Sequence, residues 1–81
     1  MADEIYIPKG GAFGWLVSVV RNTDQQLPVR YYVGLSDRNA ALYALRRTLK
    51  LRDTAQVSFR DCLTKHDILA LNLRLGEIRK A

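Results

Sequence analysis

The chain has one cysteine, one histidine and two prolines in 81 residues. The single thiol, Cys62, closes no intrachain disulfide, and small secreted domains usually depend on such staples, so a reducing cytoplasm is the expected compartment. One Cys and one His do not fill a tetrahedral zinc site. No metal or other cofactor is expected. Long apolar runs are also missing. The longest are short, such as Trp15-Leu16-Val17 and Ala40 to Leu45, far below the ~20 residues of a membrane span. The opening Met1-Ala2-Asp3-Glu4 is acidic where a signal peptide is basic. No membrane partner is expected.

Acidic residues are missing from one stretch in particular. Between Arg38 and Arg52 lie Arg38, Arg46, Arg47, Lys50 and Arg52 and no Asp or Glu. Of the 13 Lys and Arg residues, eight lie elsewhere and face all eight acids, so this segment carries the whole +5. A local basic patch is the footprint of a phosphate-binding surface. It is also what the C-terminal end of a helix favours, where cations offset the dipole for ~0.3–1 kcal/mol each.

What is present reads as ordinary globular sequence, 48% hydrophobic and 26% charged. One small domain over 1–81 follows, with 1–12 as a partly flexible N-terminal segment. Ile5-Tyr6-Ile7 is a short extended piece, and Pro8-Lys9-Gly10-Gly11 a loop. Gly14 to Val20 is a strand apolar on both faces, hence central or covered on both sides. A polar turn over Arg21 to Pro28 leads to a second strand, Val29 to Leu35, in an antiparallel hairpin. Ser36 or Asp37 then caps a helix over Asn39 to Leu51. Leu42, Leu45 and Leu49, with Ala41 at the edge, form its inner stripe. Tyr43, Arg46, Arg47 and Lys50 form its outer face. Asp53 to Leu63 alternates as a strand, with Ala55, Val57 and Phe59 on one side. A strand, a helix and a third strand in this order point to a right-handed crossover.

The leucines after Thr64 fit two periods. Ile68, Leu71 and Leu75 suit a helix, whereas Leu69, Leu71, Leu73 and Leu75 alternate like a strand. The lack of β-branching favours a helix from Lys65 to about Asn72, opened by Thr64 and Asp67 at capping-box spacing. Gly76 ends the following turn, and Glu77 to Lys80 adds an edge strand. The expected fold is a small α+β two-layer sandwich, β-β-α-β-α with a final strand, its helices on one face of a mainly antiparallel sheet.

Tyr31 and Val33 on a strand, Asp37 and Ala41 opening a helix, and the run Leu71-Asn-Leu-Arg-Leu-Gly-Glu-Ile-Arg79 resemble short uncharacterised bacterial proteins that end in a Leu-x-x-Gly-Glu-Ile/Val-Arg pattern. The resemblance spans roughly residues 31–79. It implies a small bacterial cytoplasmic protein with a turn at Gly76, and no activity.

Each candidate chemistry has a plainer reading beside it. Cys62 and His66 are four residues apart between Asp61 and Asp67, a spacing that invites a nucleophilic pair. With one His and no oxyanion motif, a small apolar Cys beside a solvated His is the plainer account. Lys9 to Gly14 is glycine-rich, but a strand follows it instead of the helix a phosphate cradle needs. Arg30, Tyr32, Gln56, Ser58 and Arg60 would share a base-stacking sheet face if their strands were neighbours. Leu69 and Leu73, on the outer side of the second helix, are a candidate association surface. Arg46, Arg47, Lys50 and Arg52, with Tyr43, are candidates for contact with a nucleic acid or an acidic partner. The leading expectation is a non-enzymatic module that associates with itself, as a homodimer or larger homo-oligomer, or with another protein. Nucleic-acid binding through Arg38–Arg52 is the alternative. No small-molecule substrate is evident.

Overall fold

β1 (Gly14–Val20) lies inside a four-stranded sheet because its side chains are apolar in both directions. Trp15, Val17 and Val19 are 3%, 0% and 1% exposed. The computed structural model describes residues 11–21 and 27–81. The expected piece at Ile5–Ile7, Lys9 and Gly10 of the glycine-rich stretch and residues 22–26 of the polar turn lie outside the described residues. β1 pairs antiparallel with β2 (Val29–Val33) on one side and with β3 (Gln56–Leu63) on the other. β4 (Ile78–Lys80) adds to the outer edge of β2, giving the order β3-β1-β2-β4. β2 and β3 both run antiparallel to β1, so they are parallel to each other with β1 between them.

The chain crosses from β2 to β3 through α1 (Arg38–Leu49). Asp37 caps it, its carboxylate accepting the Asn39 N–H at 2.9 Å. Ala41 and Leu45 are completely buried against Trp15, Val17, Val19 and Val33. Full burial of Leu45 contributes roughly 1.5–3 kcal/mol. Leu49 packs at the edge of the same cluster, whereas Leu42, expected on the same stripe, is only half-buried, and Ala41, expected at its edge, is at the centre.

β3 is longer in the sequence reading than in the structure, where Asp53 and Thr54 turn and pairing begins at Gln56. It also contains a bulge. Phe59 pairs with Val17 and Asp61 with Leu16, so Arg60 is an extra residue. The bulge reverses the alternation beyond it. Cys62 joins Val57 and Phe59 in the core cluster, and Leu63 faces the other side.

Beyond β3, Thr64 caps α2 (Lys65–Leu71) with a complete capping box. The Thr64 hydroxyl accepts the Asp67 N–H at 3.2 Å, and the Asp67 carboxylate accepts the Thr64 N–H at 2.9 Å. The helical period is therefore the right one for this segment. Ile68 lies close to Gly14 and Leu63. Ala70 and Leu71 share a shallow concavity with Leu16 and Tyr32. Leu16 and Tyr32 pair across the sheet on the face opposite Trp15 and Val33. Thus α2 lies on the far side from α1, and the expected single helical layer is corrected. The bulge is the reason, because it turns Leu63, and the chain that follows, toward the far face.

Both helices end alike. Lys50 and Asn72 adopt left-handed conformations, with φ of 54° and 52°. After α1, the Lys50 N–H bonds to the Arg47 carbonyl and the Leu51 N–H to that of Arg46. After α2, the Asn72 N–H bonds to the Leu69 carbonyl and the Leu73 N–H to that of Ile68. These are paired Schellman bonds, which draw the apolar residue after the left-handed position back onto the helix. Leu73 is accordingly 6% exposed and Leu75 92% exposed. This inverts the helical extrapolation that put Leu75 inward and Leu73 outward, since the helical period stops at Asn72.

The Gly-Glu-Ile-Arg segment completes the α2 end. The Arg79 guanidinium donates to the carbonyls of Leu71 and Asn72. Glu77 accepts from Arg79 Nε at 2.9 Å and from the Arg74 N–H at 2.9 Å. These hydrogen bonds, the Arg74 N–H first, hold the Glu77 carboxyl below its ordinary pKa. Gly34 lies so close to the Arg74 carbonyl that a side-chain carbon there would overlap it.

Candidate anion-binding surface at the end of α1

The basic segment separates into two groups in three dimensions. Arg38 lies over the rings of Trp15 and Phe59, at 4.9 and 5.2 Å from their centroids. Those rings meet edge to face at 5.5 Å. Its cation is thus part of the packing at the start of α1. Arg46 is half-buried and turns back under the following loop, reaching the carbonyls of Arg52 and Ala55 at 3.4 Å each. It holds the loop between α1 and β3, so its guanidinium is turned from the outer face assigned to it by the helical wheel.

Tyr43, Arg47, Lys50 and Arg52 are exposed. Tyr43 is 66% exposed. It lies four residues from Arg47, hence one helical turn away along the same face. Lys50 follows at the left-handed turn and Arg52 in the next loop. These four of the five candidate residues keep the placement that the sequence assigns them.

The structure adds a residue that sequence reasoning did not find. Arg21, just after β1, donates from Nη1 to the Leu49 carbonyl at 3.1 Å. It lines a cavity of about 310 Å³ together with Lys50, Leu51, Arg52, Thr54 and Ala55. Three cations and no acidic residue line it among the described residues. Arg21 belongs to a different element from the basic segment, 29 positions before Lys50 in the sequence. Nothing local marks it; only the packing of α1 against β1 brings the two together.

The other candidates fall elsewhere. Cys62 is 7% exposed within the core cluster, while His66 is exposed at the start of α2. Burial pushes the Cys62 thiol pKa up, and the charge of Asp61 adds to the shift. The Asp61 carboxylate accepts the Cys62 N–H, and Asp67 belongs to the capping box. Among the described residues, no group of three or more His, Cys, Asp or Glu side chains is placed to hold a metal ion. Gly14 opens β1, and a side chain there would run into the Val33 carbonyl, so it serves strand pairing.

The basic and aromatic sheet face does not assemble as expected. β1 lies between β2 and β3, with Ser18 in register between Arg30 and Ser58, and Arg60 is the bulged residue. Of the association pair, Leu69 is 69% exposed, while Leu73 is buried and presents no surface to a partner. No helix among the described residues is long and apolar enough to cross a membrane. Comparisons with protein-family models, with curated proteins and with solved structures find no match.

Proposed function

We propose that the protein is a non-enzymatic, cytoplasmic binding module that holds nucleic acid by its phosphate backbone. The observation that carries this reading is the exposure of Tyr43 and Arg47 on α1 and of Lys50 and Arg52 just beyond its end, the last two lining a concavity together with Arg21. Phosphate contacts of this kind give affinity without reading sequence, and the exposed Tyr43 ring offers a stacking surface beside them. Fluorescence anisotropy of labelled single- and double-stranded oligonucleotides, at two salt concentrations, tests the reading. Saturable binding is expected, weakening steeply with salt. Arg47→Gln with Arg52→Gln weakens it across all sequences and lowers the salt slope by about 1 for each phosphate no longer neutralised. An absence of saturable binding at low salt would overturn the reading.

Association with protein is the second reading, favoured by the exposure of Leu69 and Leu75 near the end of α2. Leu69→Glu is expected to reduce any self-association seen by sedimentation. A wild-type chain that sediments as a monomer at high concentration removes the homo-oligomer form of this reading.

A further inference from the structure

The outer stripe of α1 carries an order that net charge alone does not express. Asn39, Tyr43 and Arg47 recur at four-residue spacing, and all three are exposed. On a helix that spacing sets them in one file, about 6 Å apart along the axis. Lys50, exposed at the left-handed end, follows Arg47 by three residues. The side chains of Tyr43, Arg47 and Lys50 make no hydrogen bond, ion pair or ring contact among the described residues. α1 itself contains no acidic residue, and the nearest in the sequence, Asp37 and Asp53, lie beyond its two ends.

The flanks of the file differ from it. Ala40 and Ala44 lie on one side, Leu42 and Arg46 on the other. Leu42 is half-buried, and the Arg46 guanidinium is engaged by the carbonyls of Arg52 and Ala55. The cations left on the outer surface of α1 and at its end therefore stand in a single line. A duplex offers two rows of phosphates. A helix lying in its major groove, about 12 Å wide, meets one row on each side. Ala40 and Ala44 give the row on their side nothing to bind. A single strand instead alternates base and phosphate along one line, and its unstacked bases are free to lie on an aromatic ring. The ring of Tyr43 is 66% exposed, and the alanines beside it are too short to cover it.

We propose that this stripe takes single-stranded nucleic acid, with one base stacked on Tyr43 and the neighbouring phosphates held by Arg47 and Lys50. The inference rests on the nucleic-acid reading and adds to it a preference for strand over duplex, set by Tyr43.

The test is fluorescence anisotropy on the intact protein with two labelled probes, a short single-stranded oligothymidylate and a duplex of equal length, each at two salt concentrations. Wild type is expected to bind the strand at least about fivefold more tightly than the duplex, the lower end of what one base stacked on an aromatic ring contributes. Tyr43→Ala weakens strand binding by about that factor and duplex binding less than about twofold. It leaves the salt slope unchanged, because no charge is removed. Tyr43→Phe keeps strand affinity within about twofold of wild type, since the ring and not the hydroxyl stacks. Arg47→Gln lowers the salt slope for the strand by about 0.7. Matched circular dichroism spectra confirm that the variants fold.

A strand preference lost in Tyr43→Ala and kept in Tyr43→Phe supports the inference. Equal affinity for both probes, or tighter binding of the duplex, overturns it and leaves the nucleic-acid reading standing. So does a Tyr43→Ala variant that holds both probes as wild type does. Absence of binding to either probe overturns the inference and the reading together.

Discussion

The ends of the two helices are built on one plan and differ in charge. Each stops at a left-handed residue that is not glycine, Lys50 or Asn72, and each closes with the same pair of Schellman bonds. Each also receives a distant arginine on its last carbonyls, Arg21 at α1 and Arg79 at α2. At α2 the arginine is matched by Glu77, 2.8 Å from its Nη2. At α1 two further cations, Lys50 and Arg52, surround the cavity that Arg21 lines, and no carboxylate lines it among the described residues. Lys50 and Arg52 are exposed beyond the end of α1, and it is on them, with Arg47 and Tyr43, that the proposed surface for an external anion rests.

That contrast can be broken most forcefully from the α2 side. Gly34→Ala forces a carbon against the Arg74 carbonyl in a backbone-to-backbone approach with little room to relax. A destabilisation of about 3 kcal/mol is expected in urea unfolding. An unchanged midpoint would mean that the turn moves aside freely.

Arg79→Gln is next in size. It removes charged hydrogen bonds to two helix-end carbonyls and is expected to cost roughly 1–2 kcal/mol. Arg52→Gln, on the exposed α1 side, is expected within about 0.5 kcal/mol of wild type. Equal destabilisation would show that Arg52 is as structural as Arg79 and would erase the distinction between the two ends.

The smallest effect is on pH. Asp67 is held below its ordinary pKa chiefly by the Thr64 N–H and then by the Thr64 hydroxyl, and Glu77 by the Arg74 N–H. Groups with a lowered folded pKa bind more protons when the chain unfolds. Their contribution is therefore complete above the ordinary carboxylate range, near ~4, and is lost as pH falls through the lower folded values. Both lie at the α2 end of the molecule. Asp67→Asn with Glu77→Gln is expected to flatten the acid limb of stability against pH. A limb as steep as wild type would place acid sensitivity elsewhere.

Much of this architecture is written locally. Gly14 to Val20 reads as a strand because it is rich in β-branched and aromatic residues, and Thr64 with Asp67 marks the start of α2 within three residues. The inversion of Leu73 and Leu75 is less visible, although Leu49-Lys50-Leu51 and Leu71-Asn72-Leu73 carry the same Leu-x-Leu signature about a left-handed residue. The bulge at Arg60 is not legible at all. It is set by pairing with β1, and it moves Cys62 into the core and α2 to the far face. The candidate surface divides in the same way. Tyr43, Arg47, Lys50 and Arg52 follow from helical spacing, whereas Arg21 joins them only through tertiary packing.

The strand order β3-β1-β2-β4 also sets a timetable for synthesis. The hairpin of β1 and β2 is complete by Val33, but both of its outer edges wait for distant partners. β3 covers one edge through residue 63, and β4 reaches the other only at Ile78, about 45 residues after Val33. At ~5–20 residues per second the β2 edge stays unpaired for several seconds on the ribosome. Such an edge is a template for pairing with another chain. Arg30, exposed on that strand, puts a charge beside the opening for as long as it lasts.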